Sequence, residues 1–217
     1  MRPGEPFIRF DWIVDNLDEI AQRLGEHLVM VVAAVVIGFV LSFALAMIAR
    51  RWRGLYGPIL AVTGTLYAIP SLALFVLLIP ITGLTLTTGI VALVLYTLLI
   101  LIRNIVVALD GVPADVTEAA TGMGFSSRQR FWRIELPIAV PVIIAGLRIA
   151  TVSTVAIATL AFLAGAGGLG QPLYEQNGFK TNIIIVGVLA MGMALALDLV
   201  LVVIQRLVTP WRKARTW

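Results

Sequence analysis

The residues best placed to act on another molecule lie in one polar segment between two long apolar runs. It begins with Glu118, Ala119 and Ala120 and reads E-A-A-x3-G-x9-I-x-L-P, the later fixed positions being Gly124, Ile134, Leu136 and Pro137. Alanine is a strong helix former with little bulk, so a short helix with this start can enter a partner's groove closely. The pattern therefore favours recognition and docking over bond-breaking chemistry.

The rest of the chain offers little for catalysis. It has no cysteine and one histidine, His27, which disfavours thiolate chemistry and metal sites. It also lacks a G-x-S-x-G elbow and paired carboxylates within a span. Gly165, Gly167 and Gly170 match G-x-G-x-x-G, but no strand precedes them, so a dinucleotide site is rejected. We expect no metal and no cofactor in this chain, and we assign His27 to a membrane interface.

Composition assigns the protein to the membrane class. Of 217 residues, 60% are hydrophobic and 13% are charged. Five apolar runs are long enough to cross ~30 Å of hydrocarbon, which takes ~20 residues. They are residues 28–49, 55–79, 84–102, 137 to just before 165, and 183–204. The sequence predicts an all-α membrane protein with five transmembrane helices, the second interrupted by Pro70 and closed by Pro80.

The basic residues predict the orientation. Five crossings would bring eleven of them to one side: Arg50, Arg51, Arg53, Arg103, Arg128, Arg130, Arg133, Arg206, Arg212, Lys213 and Arg215. The other side would receive Arg2, Arg9, Arg23 and Lys180. Because cytoplasmic loops are enriched in Lys and Arg, we expect the N-terminus outside and the C-terminus in the cytoplasm.

This orientation divides the chain into three parts. Residues 1–27 are an extracytoplasmic amphipathic segment, with a helix predicted over 11–26 on the membrane surface or the protein's own outer face. Residues 28–206 are one transmembrane domain with a cytoplasmic loop at 103–136, and residues 207–217 are a short cytoplasmic tail.

The cytoplasmic loop is predicted to form two short helices. Pro113 suits a first helical turn, and Gly122 and Gly124 give the backbone freedom to end that helix. Ser126 and Gln129 match a capping box that starts the second helix. Pro137 is expected to open span four.

The segment resembles the cytoplasmic loop by which permease subunits of bacterial ABC importers dock onto their ATPase, the EAA motif. Residues 67–74, 103–104 and 165–170 look like the osmoprotectant branch, which carries glycine betaine, choline, carnitine and related quaternary ammonium solutes. The similarity covers roughly residues 28–205. It implies a type I ABC importer permease fold, with a docking core at Glu118, Ala119, Ala120 and Gly124 and with Ile134, Leu136 and Pro137 in the coupling loop.

The resemblance also implies partners. These are two ATPase subunits that carry the ATP and Mg, a second permease that is identical or a sister, an external solute-binding protein and membrane lipid, with no nucleic acid. The location would be the bacterial cytoplasmic membrane. Two alternatives stay open: a permease of a methionine-type or other small-solute importer, and a passive channel, which leaves the docking pattern unexplained.

Two sets of residues inside the spans are candidates for a role in transport. Arg148 and Asp198 lie ~16 Å and ~12 Å from the cytoplasmic ends of their helices, so we expect them to pair, as a structural ion pair in preference to a solute contact. A weaker set could line the pathway: Tyr67, Pro70, Ser71, Phe75, Tyr96 and Phe162. Its aromatic rings could face a quaternary ammonium cation and its proline could break a helix, although ordinary packing explains each residue as well.

Overall fold

Long apolar helices dominate the computed structural model, which describes residues 8–172 and 180–211. Within those ranges there are helices and no strands, so the predicted all-α class is confirmed. The helices are α1 Phe10–Asp15, α2 Leu17–Arg51, α3 Tyr56–Ala68, α4 Ser71–Thr82, α5 Leu86–Asp110, α6 Ala114–Gly122, α7 Ser127–Arg130, α8 Leu136–Ala158 and α9 Lys180–Val208. Among these ranges, four helical stretches are long and apolar enough to cross a membrane, or five spans if a bent pair counts as one.

Helix α5 forms the centre of the bundle. In its most apolar stretch of 18 residues, 56% of the residues are buried, against 11% in the corresponding stretch of α9, which lies at the edge of the bundle. Helices α2 and α8 pack on α5 through buried side chains that include Leu93, Leu101 and Ile105. In a membrane, lipid tails are as apolar as leucine, so this packing must hold the helices together through close van der Waals contact.

Two glycines make that close contact feasible. Gly38 of α2 faces Thr97 of α5, and Gly146 of α8 faces Asn104 of α5. A Cβ atom built on Gly146 would lie 2.5 Å from the Cβ of Asn104, so the helix backbones approach too closely for any side chain there. Small residues at helix crossings serve this purpose in membrane proteins.

The second apolar run is broken at Pro70, as its sequence predicts. Helices α3 and α4 meet at an angle of 100°. Ile69 and Pro70 are extended between them, because the proline ring disfavours helical geometry at the preceding residue. The predicted closing residue was wrong: Pro80 lies inside α4, which continues to Thr82 and ends at Gly83 with φ 76°.

The N-terminal part differs from the predicted separate amphipathic helix. The helix divides at Asn16, and α2 then runs without a break from Leu17 to Arg51, roughly 52 Å at 1.5 Å per residue. The sequence between Glu26 and Leu28 contains no helix breaker, so the amphipathic residues and span one form one rod. Residues 1–7 and 212–217 lie outside the described residues, and with them Arg2, Arg212, Lys213, Arg215 and most of the predicted tail.

Candidate coupling site and transport pathway

Helix α6 is the element that carries the start of the E-A-A pattern. It runs from Ala114 to Gly122, with Pro113 directly before its first residue. Its end is a Schellman motif, in which the Gly124 N–H donates to Thr121 O at 3.0 Å and the Phe125 N–H donates to Ala120 O at 3.1 Å. Gly124 has φ 84°, a left-handed conformation that glycine adopts without strain. The predicted helix end is therefore confirmed: Gly122 is the last residue of α6, and Gly124 supplies the left-handed turn after it.

The predicted docking residues divide between two faces of α6. Glu118, Ala119 and Gly124 are exposed, whereas Ala120 is only 1% exposed and packs against the rest of the chain. Met123, which the sequence analysis missed, is 68% exposed beside them. A single methionine carries no spacing signal, and only the folded helix shows that it shares the exposed surface. Methionine is well suited to such a surface because its flexible thioether adapts to a partner.

The second predicted helix begins as expected but continues into the next span instead of ending in the loop. The capping box is present: the Ser126 Oγ accepts from the Gln129 N–H at 3.3 Å, and the Gln129 Oε1 accepts from the Ser126 N–H at 2.9 Å. Helix α7 then continues through a π-helical turn, Phe131–Glu135, into α8. Pro137 lies in the first turn of α8, as predicted, but α8 is continuous with the helical turns before it, so Pro137 does not separate the span from the loop.

The π-helical turn explains how a proline fits inside a continuous helix. Proline has no N–H and its ring crowds the carbonyl four residues earlier, here that of Arg133. A wider turn directly before Pro137 relieves that crowding. Ile134, Leu136 and Pro137 are half-buried in this rod. They connect the loop to the membrane span, and α6 offers the exposed contacts.

Five charged residues fasten the loop to the ends of three long helices. We call Arg50, Arg53, Asp110, Arg130 and Glu135 the basal charge network. Arg50 Nη2 donates to Glu135 at 3.2 Å and Arg50 Nε donates to Asp110 at 3.1 Å. Arg130 Nε donates to Glu135 at 2.9 Å, and Arg53 Nη1 donates to Asp110 at 2.6 Å. Charges of alternating sign thus run without interruption from α2 through α5 to the π-helical turn.

Helix α6 joins this network through one further bond. Arg130 Nη1 donates to Thr121 Oγ1 at 3.0 Å, near the end of α6. Glu135 is buried, and it accepts hydrogen bonds from both Arg50 and Arg130. A displacement of α6 therefore has a direct polar path to the ends of α2 and α5 and to the start of α8.

The two intramembrane charges lie together. Arg148 Nε donates to Asp198 Oδ1 at 2.6 Å, and Arg148 Nη2 donates to Asp198 Oδ2 at 2.7 Å. This forked geometry matches the planar guanidinium to the carboxylate and makes the pair both short and oriented. It links α8 to α9, the most exposed of the long helices.

The candidate pathway aromatics are brought together only in part. The rings of Tyr67 and Tyr96 meet edge to face, with centroids 5.8 Å apart. The Tyr96 hydroxyl donates to the carbonyl of Ile69, which the break at Pro70 leaves without a helical partner. Tyr67 is exposed beside this break, so the described residues present one accessible aromatic face at the bend.

Of the other pathway candidates, Ser71 lies beside the bend, whereas Phe75 and Phe162 do not join Tyr67 and Tyr96. Phe75 is fully buried in the core, which leaves no ring face for a solute. Ser71 begins α4 just after Pro70 and is half-buried. Phe162 lies in the 3-10 turn Ala161–Ala164 and borders Gly170. Tyr67, Pro70 and Tyr96 form a local group, and Phe75 and Phe162 do not join it.

A second site that sequence analysis missed lies at the end of the bundle opposite α6. Residues 165–170, the glycine loop, fold over the start of α2. The Gly168 N–H donates to Glu26 Oε2 at 3.0 Å, and the Leu169 N–H donates to His27 Nδ1 at 3.3 Å. His27 Nε2 lies 3.1 Å from Val155 O. Since Nδ1 accepts, Nε2 must carry the proton and donate, so His27 is neutral.

This arrangement corrects the assignment of His27. The side chain is fully buried and ties α2, α8 and the glycine loop together, so it is not an interfacial residue. The sequence carried no local signal because its partner Leu169 lies 142 residues away along the chain. The glycines there have a packing reason: Gly167 has φ 70°, and a Cβ atom on it would lie 2.6 Å from Glu26 Oε2.

Replacing Gly165 by alanine should destabilise this end of the bundle more than the same change at Gly124. Both residues have left-handed φ, 69° and 84°, so each substitution costs roughly 1–2 kcal/mol of backbone strain. A Cβ on Gly165 would also lie 2.9 Å from the backbone of Leu84, whereas nothing lies within 4 Å at Gly124. That crowding adds about 1–3 kcal/mol. Thermal unfolding midpoints of the purified variants measure the difference, and equal midpoints would contradict the described loop contact.

The described residues together define a class of protein. Within 8–172 and 180–211, no three metal-ligating side chains are grouped as a metal site. Helices long enough to cross a membrane pack around buried polar contacts. The short helix α6 is exposed at the end of the bundle where α2, α5 and the π-helical turn before α8 meet. This is the architecture of a multi-pass membrane protein that exposes a short helix at one end of its bundle. The chain belongs to the family of binding-protein-dependent transport system inner membrane components, whose family model matches residues 38–214. It is accordingly a multi-pass inner-membrane protein, as predicted.

Relatives of nearly the same length support the predicted branch. The glycine betaine/carnitine/choline transport system permease protein OpuCB of Bacillus subtilis is 32% identical over 197 residues, 90% of this chain and 91% of that protein. The osmoprotectant import permease protein OsmW of Salmonella typhimurium is 34% identical over 206 residues, 92% of this chain and 96% of that protein. The resemblance to osmoprotectant permeases is confirmed.

A longer relative and a solved structure complete the comparison. The ergothioneine transport permease/ergothioneine binding protein EgtU of Helicobacter pylori is 42% identical over 136 residues, 62% of this chain and 25% of that protein. A structure of the MetNI methionine ABC transporter in an inward-facing conformation has a chain that is 25% identical, with a TM-score of 0.73 over 86% of this chain and 94% of that chain. The predicted ABC importer permease fold is thereby confirmed.

Proposed function

We propose that this chain is the membrane-spanning subunit of an ATP-driven importer for osmoprotectants such as glycine betaine, choline and carnitine. Five spans would place the N-terminus outside and α6 in the cytoplasm, where ATPase subunits carrying ATP and Mg can reach it. A second permease, identical or a sister, would complete the pathway, and an external binding protein would deliver the solute. This chain would hydrolyse nothing itself.

The observation that carries the proposal is the exposed helix α6 fastened to three spans. Its outward side chains, Glu118, Ala119 and Met123, are free to contact an ATPase. The end of the helix is tied through Thr121 and Arg130 to the basal charge network. Such a helix can pass a rigid-body movement to the membrane part without any bond being made or broken.

The proposed cycle follows from that connection. When ATP binding closes two ATPase subunits, the two docked α6 helices would move together. The basal charge network would carry the movement to α2, α5 and α8, switching the pathway from inward-facing to outward-facing. Hydrolysis would separate the ATPases and reset it. The permease supplies two conformations, and ATP makes their exchange directional.

Solute identity rests on the relatives. OpuCB and OsmW are described as permeases for osmoprotectants, and EgtU as one for ergothioneine. Glycine betaine, carnitine and ergothioneine each join a trimethylammonium group to a carboxylate, while choline has only the cation. The exposed Tyr67 ring at the bend of α3 and α4 could attract such a cation. A methionine-type importer is the second candidate, favoured by the shared fold with the MetNI chain.

Uptake by the reconstituted complex tests the proposal. The permease, its ATPase and its binding protein are placed in vesicles, and uptake of labelled glycine betaine is followed with and without enclosed ATP. We expect accumulation that requires ATP and the binding protein together. Uptake of betaine without ATP would point to a channel. ATPase binding with uptake of methionine and none of betaine would replace the osmoprotectant assignment and keep the importer.

A further inference from the structure

The ion pair between α8 and α9 leaves part of Arg148 unused. A guanidinium has five N–H donors, and Asp198 takes one from Nε and one from Nη2. Within the described residues, the other three meet no protein acceptor. The arginine side chain is 35% exposed and the aspartate 24%. Arg148 thus presents a free donor edge near the middle of a span.

The ion pair itself lines a groove whose other walls are mostly apolar. The groove is open on one side, has a volume of about 470 Å³ and is lined by Ala145, Ile149, Val152 and Ser153 together with the pair. Small-molecule sites have volumes of ~300–1,000 Å³, mostly apolar walls and a few oriented polar groups. A charged donor edge cannot face lipid without a large cost, so the exposed side of the pair must meet a water-filled cavity or another polar group.

We propose that Arg148 binds the carboxylate of a zwitterionic solute as it crosses the membrane. This rests on the proposed importer function and names the chemical group that the pathway recognises. Both carboxylate oxygens of Asp198 already accept from Arg148, so the open valences of the pair are N–H donors, which suit a carboxylate.

Asp198 has a separate task in this site. It holds the guanidinium in one orientation and neutralises it when no solute is present, which keeps the charge tolerable at this depth. A bound zwitterion would set its carboxylate on the free edge of Arg148 and its ammonium group near Asp198. A neutral pair therefore accepts a neutral solute with complementary charges, and no net charge has to cross the groove.

The test compares a solute with a carboxylate and one without. Uptake of labelled glycine betaine and labelled choline is measured in the complete reconstituted complex, each as a ratio to the unaltered complex, so that any preference of the binding protein cancels. The variant is the double substitution Arg148→Gln with Asp198→Asn, which keeps a polar side chain at each position and leaves no unpaired charge. Arg51→Gln serves as the control, since Arg51 is exposed and lies outside the groove.

We expect the double variant to lose betaine uptake by about tenfold or more, since a hydrogen bond to a charged group contributes at least that factor. Choline keeps the ammonium group that lies near Asp198 but has no carboxylate for Arg148, so its uptake should fall less than that of betaine, and Arg51→Gln should change neither. Unchanged betaine uptake would overturn the proposal. So would an equal loss of both solutes, which would identify a structural pair or a contact with the second permease. Failure of the unaltered complex to carry either solute with ATP would instead refute the importer assignment itself.

Discussion

Replacing Glu118 by lysine should abolish ATP-driven uptake and release the ATPase, while the permease stays folded. Glu118 is exposed on α6 and forms no ion pair with any described residue. Reversing its charge therefore breaks nothing inside the chain. At a docked interface the same change would set two like charges against each other, and loss of one partner from a desolvated charge pair costs about 2–5 kcal/mol of association free energy. Copurification of the ATPase and ATP-dependent betaine uptake measure the two effects.

Two companion variants separate docking from general charge effects. Glu118→Gln keeps the shape and removes only the charge, so it should weaken copurification less than lysine does. Asp18→Lys reverses an exposed charge in the first turn of α2, far from α6, and should leave ATPase binding intact. Full ATPase binding by the Glu118→Lys variant would show that the docking surface lies elsewhere on the chain.

Local features were predictable because they depend on few residues. The end of α6 at Gly124 and the capping box of Ser126 and Gln129 follow from backbone geometry within four residues. The break at Pro70 follows from the proline ring. The pairing of Arg148 with Asp198 was predictable for a different reason: in a membrane a lone charge is so costly that two charges at similar depth must meet.

Features that need distant contacts were not predictable. Pro137 reads as the start of a helix, and only the π-helical turn before it lets α7 and α8 join. Nothing in the sequence distinguishes Ala119, which is exposed, from Ala120, which is buried. The hydrogen bond between His27 and Leu169 was not predictable either, and nor was the basal charge network. Both depend on which distant segments of the chain pack beside α2.

Neutralising Glu135 should weaken the link between the coupling loop and the spans more than any other change in the basal charge network. Glu135 is buried and accepts from both Arg50 and Arg130. A glutamine side-chain oxygen can accept from one of these arginines. The glutamine N–H₂ then faces the other arginine, and because both groups are donors, no hydrogen bond forms between them. Removing one member of a buried ion pair costs about 3–5 kcal/mol, so we expect Glu135→Gln to lower the thermal unfolding midpoint sharply. It should also raise the number of ATP molecules hydrolysed per betaine transported.

The basal charge network also predicts how the loss of stability in Glu135→Gln combines with the losses caused by other substitutions. Arg53→Gln removes an exposed partner of Asp110, so it should cost at most ~1 kcal/mol. Arg130→Gln combined with Glu135→Gln should cost less than the sum of the two single changes by about 0.5–3 kcal/mol, because both remove the same bond. Strictly additive losses would mean that Arg130 and Glu135 act independently. A stable Glu135→Gln permease with a raised ATP cost would place the role of Glu135 in force transmission, since its charge would then matter only while α6 is being moved.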